Sequence, residues 1–81
     1  MITEINEKII VGAIFKNGSI KINWFIWKNR KINIEKITYR WKTKKGEKDI
    51  YNFAVTDGFN IFELSFIPED LIWNLEKIHL L

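Results

Sequence analysis

The sequence predicts an all-β fold: a small six-stranded antiparallel meander, strongly bent, of the SH3-like or OB-like half-open barrel type. Three observations predict it. The 81 residues suffice for one domain with one core, so we take 1–81 as a single β-domain. Turn-forming residues recur at short intervals between runs rich in Ile, Phe, Trp and Tyr. Several of those runs shift their apolar positions midway, which requires bent strands.

Turn chemistry sets the element boundaries. Five signals divide the chain: Asn17-Gly18, Lys28-Asn29-Arg30, Lys44-Lys45-Gly46, Asp57-Gly58 and Ile67-Pro68-Glu69-Asp70. Asn-Gly and Asp-Gly between apolar runs are strong hairpin signals, because both residue types tolerate the backbone angles of tight turns. The predicted strands cover residues 8–15, 20–28, 31–43, 49–56, 59–66 and 71–80.

The third predicted strand contains the clearest bend signal. Its apolar residues occupy even positions first and odd positions afterwards: Ile32 and Ile34, then Ile37, Tyr39 and Trp41. Side chains of a regular strand alternate between two faces, so one regular strand cannot bury both sets. A bulge at Glu35-Lys36 would bury both halves.

The fifth and sixth predicted strands show the same change of parity. In the fifth it runs from Phe59 and Ile61 to Phe62, Leu64 and Phe66. In the sixth it runs from Leu71, Trp73 and Leu75 to Ile78 and Leu80. Pro68 and the spacing of the leucines there suit a helix equally well, so the residues alone leave helix and strand open.

The charge distribution is the main indication of function. Lys16 to Lys48 holds eleven of the thirteen basic residues and two acids, a net charge of +9, while the remaining 48 residues carry −6. A folded domain with this pattern has one positive region, which attracts polyanions. We therefore expect DNA or RNA as the partner.

The predicted basic face lies on the third and fourth predicted strands. Residues that alternate with Ile37, Tyr39 and Trp41 should point to solvent, among them Arg40 and Lys42, with Lys48 beyond the next turn. The predicted nucleic-acid-binding residues are Lys28, Arg30, Lys31, Lys36, Arg40, Lys42, Lys44, Lys45 and Lys48, with Trp24 as a base-stacking residue. The alternative is a solvated face that prevents aggregation of sheet edges.

Other classes of function have little support. Glu35 and Glu76 are the only conceivable catalytic pair, and no nucleophile or phosphate loop accompanies them, so we expect no enzyme. The absence of cysteine and the single His79 give no metal site, and no cofactor is expected. The N-terminus lacks the basic start of a signal peptide and the longest apolar run is short, so we expect a cytoplasmic protein without membrane contact.

A set of residues runs through the chain from Gly18 onward: Gly18-x-Ile20, Phe25-x-Trp27-x-x-Arg30-x-Ile32-x-Ile34, Trp41, Asp57-Gly58, Phe62-Glu63-Leu64 and Trp73-x-Leu75-Glu76. In this pattern the chain resembles a family of small uncharacterised bacterial domains of unknown function. The chain departs from the family pattern at Ile22, Asn29 and Ile32, which replace a proline, a glycine and a tyrosine, so a role for that tyrosine hydroxyl does not carry over. The resemblance implies a compact antiparallel β-domain and favours a strand over residues 71–80.

Together these observations predict a non-catalytic, cytoplasmic nucleic-acid-binding module. The competing class is a protein-interaction or self-associating domain, such as a homodimer, built on exposed aromatic residues and sheet edges.

Overall fold

Seven antiparallel strands make up the fold in the computed structural model, which describes residues 1–80. They are β1 (Ile2–Lys16), β2 (Ser19–Trp27), β3 (Arg30–Asn33), β4 (Lys36–Lys45), β5 (Lys48–Thr56), β6 (Ile61–Ile67) and β7 (Ile72–His79). The all-β prediction is confirmed. The count of six is wrong, because the third predicted strand is two strands.

The strands form one open sheet in the order β3-β2-β1-β7-β6-β5-β4. Strands β1 to β3 form one meander and β4 to β7 another, and pairing of β1 with β7 joins the two. Strands β3 and β4 are therefore consecutive in the chain but lie at opposite edges. The Ile34-Glu35 link connects them: the Ile34 N–H donates to the Asn23 carbonyl on β2 (2.9 Å), and the Glu35 N–H donates to the Thr56 carbonyl on β5 (2.8 Å). The predicted bulge at Glu35-Lys36 is thus a strand break.

The sheet curls around its core. Phe25 on β2 packs edge-on against Phe62 on β6 at 5.2 Å between ring centroids, although β1 and β7 lie between those strands in the sheet. Side chains on the inner face of non-adjacent strands are therefore in contact with one another. The buried apolar residues are Ile22, Phe25, Phe53, Val55, Phe62, Leu64, Phe66, Leu75 and Ile78.

Most turns lie where the sequence predicts them, but the β4–β5 turn is at residues 46–47, so Lys44 and Lys45 belong to β4. Asn17 and Gly18 both have positive φ (51° and 77°) and form a two-residue hairpin loop between β1 and β2. Lys28 and Asn29 do the same between β2 and β3 (52° and 61°). The Asp57 carboxylate accepts hydrogen bonds from the backbone N–H groups of Phe59 (2.9 Å) and Asn60 (2.8 Å), and so fixes the β5–β6 turn.

Bulges account for some of the parity changes. On β7, Leu75 pairs with Leu64 and Lys77 with Glu63, so Glu76 is an extra residue and both Leu75 and Ile78 reach the core. The bend predicted for the sixth strand is confirmed, and this segment is a strand.

The parity change predicted within the fifth strand is wrong. Phe59 lies in the turn before β6 and is 76% exposed. The strand begins at Ile61 and buries Phe62, Leu64 and Phe66 with a regular alternation. The aromatic residue at its start therefore has no place in the core.

A bulge in β4 reverses the predicted faces of that strand. Ile37 pairs with Val55 and Tyr39 with Ala54, which leaves Thr38 as the extra residue. Arg40 then lies opposite the buried Phe53, on the inner face, while Tyr39 is 65% exposed on the outer face and stacks on Trp41. The prediction that Tyr39 points inward is wrong. Arg40 and Lys42 are exposed to solvent as predicted, but they lie on the inner face of the sheet rather than the outer one.

The position of Trp24 depends on a glycine. Gly12 on β1 pairs with Trp24 on β2, on the outer face, and a Cβ at Gly12 would lie 2.2 Å from the indole ring. We expect Gly12→Ala to lower the free energy of unfolding by about 1–3 kcal/mol through overpacking. Urea denaturation in the wild-type and Trp24→Ala backgrounds measures this. The cost should largely vanish without the ring, and an equal cost in both backgrounds would contradict the contact.

The reversed faces of β4 give a second stability prediction. Tyr39→Ala removes an exposed ring and should change the free energy of unfolding by less than ~1 kcal/mol. Phe53→Ala, one strand away, removes a 3% exposed ring from the core and should cost about 3–5 kcal/mol. Urea midpoints of the two variants give the comparison. If Tyr39→Ala cost as much as Phe53→Ala, Tyr39 would have to be a core residue.

Candidate nucleic-acid interface

An open groove lies between the end of the β1–β2 hairpin and the β4–β5 hairpin, on the inner side of the curled sheet. Its volume is about 880 Å³. We call it the aromatic groove, and the residues used below to define it are Phe15, Ile20, Arg40, Lys42, Tyr51, Phe53 and Phe66. It opens here because β3 pairs only with residues 24–27 of β2, so the start of β2 faces β4 without an intervening strand.

The floor of the groove is a row of aromatic rings across neighbouring strands. Tyr51 on β5 is in register with Phe66 on β6, and Phe66 with Trp73 on β7. The Phe66 and Trp73 rings stack at 4.6 Å, and Phe53 lies 5.7 Å from Trp73. Such cross-strand aromatic pairs pack against one another, so rings of neighbouring strands support each other.

Two rings of the groove are exposed. Phe15, at the end of β1, packs on Phe66 at 5.6 Å but remains 59% exposed. Tyr51 is 37% exposed. Both residues present ring surface to a ligand, whereas Phe53 and Phe66 are nearly buried beneath them.

Two cations lie directly over the groove rings. Arg40 and Lys42 on β4 are in register with Phe53 and Tyr51 on β5. The Arg40 guanidinium carbon is 5.7 Å from the Phe53 ring centroid, and Lys42 Nζ is 5.8 Å from that of Tyr51. These are cation–π distances. The groove therefore combines positive charge with aromatic surface.

Arg40 also connects the two sides of the groove. One of its terminal nitrogens donates a 2.8 Å hydrogen bond to the backbone carbonyl of Ile20 on β2. Since a guanidinium has five N–H donors, this bond leaves others for a ligand. A neutral carbonyl also leaves the charge of Arg40 uncompensated.

Asp49 partly neutralises the rim of the groove. Its carboxylate lies between Lys42 Nζ (3.5 Å) and Lys44 Nζ (3.6 Å). Both distances exceed those of good charge-assisted hydrogen bonds. Asp49 Oδ1 is buried and accepts no hydrogen bond within residues 1–80. The two lysine side chains remain 52% and 65% exposed, so this ion pair is weak.

The predicted residues of the β2–β3 hairpin lie outside the groove. Lys28 Nζ sits 4.8 Å from the Trp27 ring and Lys31 Nζ 5.2 Å from the Trp24 ring. Trp24 is half-buried against Gly12 on the outer face, and Arg30 begins β3 at the sheet edge. The structure therefore pairs Lys31 with Trp24 and places Lys28 and Arg30 beside Trp27, all outside the groove that contains Arg40.

The remaining predicted residues are scattered. Lys36 starts β4, at the end opposite the groove, and Lys45 ends it. Lys48 Nζ donates to both oxygens of Asp70, at 3.2 and 2.9 Å. That hydrogen bond, and then the charge of Asp70, raise the pKa of Lys48 above its ordinary value of 10.5. Lys48 is thus charged at neutral pH but already has an anionic partner.

The carboxylates considered for catalysis do not meet. Glu76 accepts a 2.9 Å hydrogen bond from the Ser65 hydroxyl on β6, whereas Glu35 lies in the link that pairs with β2 and β5. His79 contacts Glu63 on the outer face. Within residues 1–80 there is no grouping of three or more acidic, His or Cys side chains suited to a metal ion, and no helix capable of crossing a membrane.

Sequence reasoning missed the aromatic half of this site. In the sequence, the aromatic residues of the groove look like ordinary strand residues, and nothing in their spacing indicates a groove. They are Phe15, Tyr51, Phe53 and Phe66. One signal was available: Phe15 adjoins the Asn17-Gly18 loop, and a large ring beside a hairpin tip has little core to enter.

The comparisons with known proteins add no relative. No protein-family model, curated protein or solved structure matches the chain. The resemblance to a bacterial domain family therefore stays an expectation, and the groove is interpreted from its own chemistry.

Proposed function

We propose that the protein is a cytoplasmic, non-catalytic module that binds nucleic acid in the aromatic groove. The observation that supports this most is the placement of Arg40 and Lys42 directly over the rings of Phe53 and Tyr51. Nucleic acids offer two chemical groups in fixed connection, an anionic phosphate and a flat aromatic base. A groove that combines cations with rings matches both.

The charge distribution of the whole chain supports the same proposal. The net +9 of residues 16–48 covers β4 on one side of the groove and the β1–β2 loop on the other. A field of one sign raises the local concentration of a polyanion and speeds its association. The predicted cations at Lys28, Arg30 and Lys31 would act through this field rather than by contact in the groove.

We also propose that the fold is an SH3-like or OB-like half-open barrel. The curl of the sheet, its open side between β2 and β4, and a ligand groove at that opening support it. The seven strands in a single open sheet differ from the five of an OB barrel.

The second candidate is the protein-interaction or self-associating domain. Exposed apolar residues of the outer face favour it, since Ile10 is 64% exposed, Ile14 48% and Tyr39 65%. Such a domain would use the opposite side of the sheet from the groove. Sedimentation equilibrium of the charge-reversal variant described next separates the two, because outer-face association should survive that change.

Charge reversal in the groove tests the proposal. Arg40→Glu with Lys42→Glu places two anions over the aromatic floor, and we expect binding of labelled DNA or RNA to weaken at least ~10-fold at 50 mM salt. Fluorescence anisotropy measures the affinity. The matched control is Lys28→Glu with Lys31→Glu, which has the same net charge but leaves the groove intact and should weaken binding less.

A control for folding completes this test. Circular dichroism must show that the groove variant is folded, because Arg40 also donates a hydrogen bond to the Ile20 carbonyl. If the double variant is unfolded, the affinity of the Lys42→Glu single variant is measured instead. If both reversals weakened binding equally, or the groove reversal had no effect, the groove would not be the binding site.

A further inference from the structure

We propose that the ligand of the groove is an unpaired nucleic-acid strand, with a phosphate replacing the Asp49 carboxylate between Lys42 and Lys44 and a base stacked on Phe15 or Tyr51. This inference rests on the proposed function and deepens it. It names the form of the nucleic acid and an acidic residue that lowers the affinity. It is argued from three features: the poor bonding of Asp49, the exposed rings, and their proximity.

Asp49 occupies the position of an anion without being well bound there. A carboxylate that is held for stability accepts short hydrogen bonds from its partners. Here the lysine nitrogens are 3.5 and 3.6 Å away, and one carboxylate oxygen is shielded from solvent with no hydrogen bond. A phosphate brings more acceptor oxygens to the same two lysines. Displacement of Asp49 therefore costs little and lets that side chain return to water.

The exposed rings favour a single strand. In a duplex the faces of the bases are covered by their neighbours, so they cannot stack on protein rings without being flipped out. An unpaired strand presents those faces freely. Phe15 and Tyr51 lie on either side of the nearly buried Phe66, so a base can enter from the open side of the groove and contact one of them.

The anion position and the rings are close enough to serve one strand. Lys42 contributes to both, because its Nζ is 3.5 Å from the Asp49 carboxylate and 5.8 Å from the Tyr51 ring centroid. A nucleotide likewise joins its phosphate to its base through a single sugar. The phosphate at Lys42 and a base at Tyr51 can thus belong to one nucleotide or to neighbouring nucleotides of the same strand.

The Asp49→Asn variant tests the phosphate position. It removes the internal anion while keeping the side-chain shape, so we expect single-stranded DNA and RNA to bind about fivefold more tightly at 0.1 M salt. The plot of log K against log salt should steepen by about 0.7, the value for one more phosphate contact on a single strand. Glu4→Gln is the matched control: it changes the net charge equally but lies near the other end of β1, and it should change affinity by less than about twofold.

The Phe15→Ala variant tests the stacking position. It should weaken binding of single strands by at least ~5-fold, a typical loss for one stacked base, and leave duplex binding unchanged. Wild-type protein should prefer the single strand to a duplex of the same sequence. Thermal unfolding of each variant checks that the fold is intact, and Tyr51→Ala repeats the test if Phe15→Ala is unstable.

The outcomes separate this inference from the proposed function. If Asp49→Asn bound no more tightly than Glu4→Gln, or the duplex bound as well as the single strand, the inference would be overturned while groove binding could stand. If neither the wild type nor Asp49→Asn bound any nucleic acid at 50 mM salt, both proposals would fail. Tighter binding by Asp49→Asn with a steeper salt dependence supports the phosphate position.

Discussion

The two-residue link between β3 and β4 is the constraint on which the rest of the structure depends. Ile34 and Glu35 must join opposite edges of a seven-stranded sheet, and two residues span only ~7 Å. The sheet can meet that condition only by curling until its edges approach each other. The curl then brings Phe25 on β2 against Phe62 on β6, so the inner face encloses the core at this end of the sheet. The backbone bonds of Ile34 to Asn23 and of Glu35 to Thr56 hold this end of the sheet shut.

The groove exists because the closure is incomplete at the other end. Away from the link, the edges of β2 and β4 are joined by the Arg40 side chain rather than by backbone pairing. A strand edge left without partners tends to aggregate, and inward-pointing charged residues are one way in which proteins prevent that. The Thr38 bulge turns Arg40 and Lys42 inward. The same bulge thus protects the edge and supplies the cations of the candidate site.

Turn chemistry made much of the fold predictable from the sequence. Asn17-Gly18 and Asp57-Gly58 form turns with the geometry that their side chains and positive φ values require, and the shift from Leu75 to Ile78 correctly indicated a bend. The face of β4 was not predictable. Tyr39 and Trp41 look like core residues by composition. The extra residue at Thr38 instead moves them to the outer face and moves Arg40 and Lys42 to the inner face. Nothing local to Thr38 marks it as a bulge, because its position is set by pairing with Val55 and Ala54. The prediction of the candidate site was incomplete for the same reason. Its cations were identified, but the aromatic residues beneath them were not.

Edge protection and ligand binding make different demands on the groove, and these demands distinguish the two explanations of its charge. Protection requires only inward-pointing charges on the edge strand, which Arg40 and Lys42 supply whether or not exposed rings lie beside them. It gives no reason to leave Phe15 59% exposed beside Phe66, since exposed aromatic surface costs hydrophobic stabilisation and itself promotes association. A poorly bonded Asp49 between two lysines is equally unnecessary for protection. A site that exchanges an internal anion for a phosphate, and covers its exposed rings with bases, accounts for both features together.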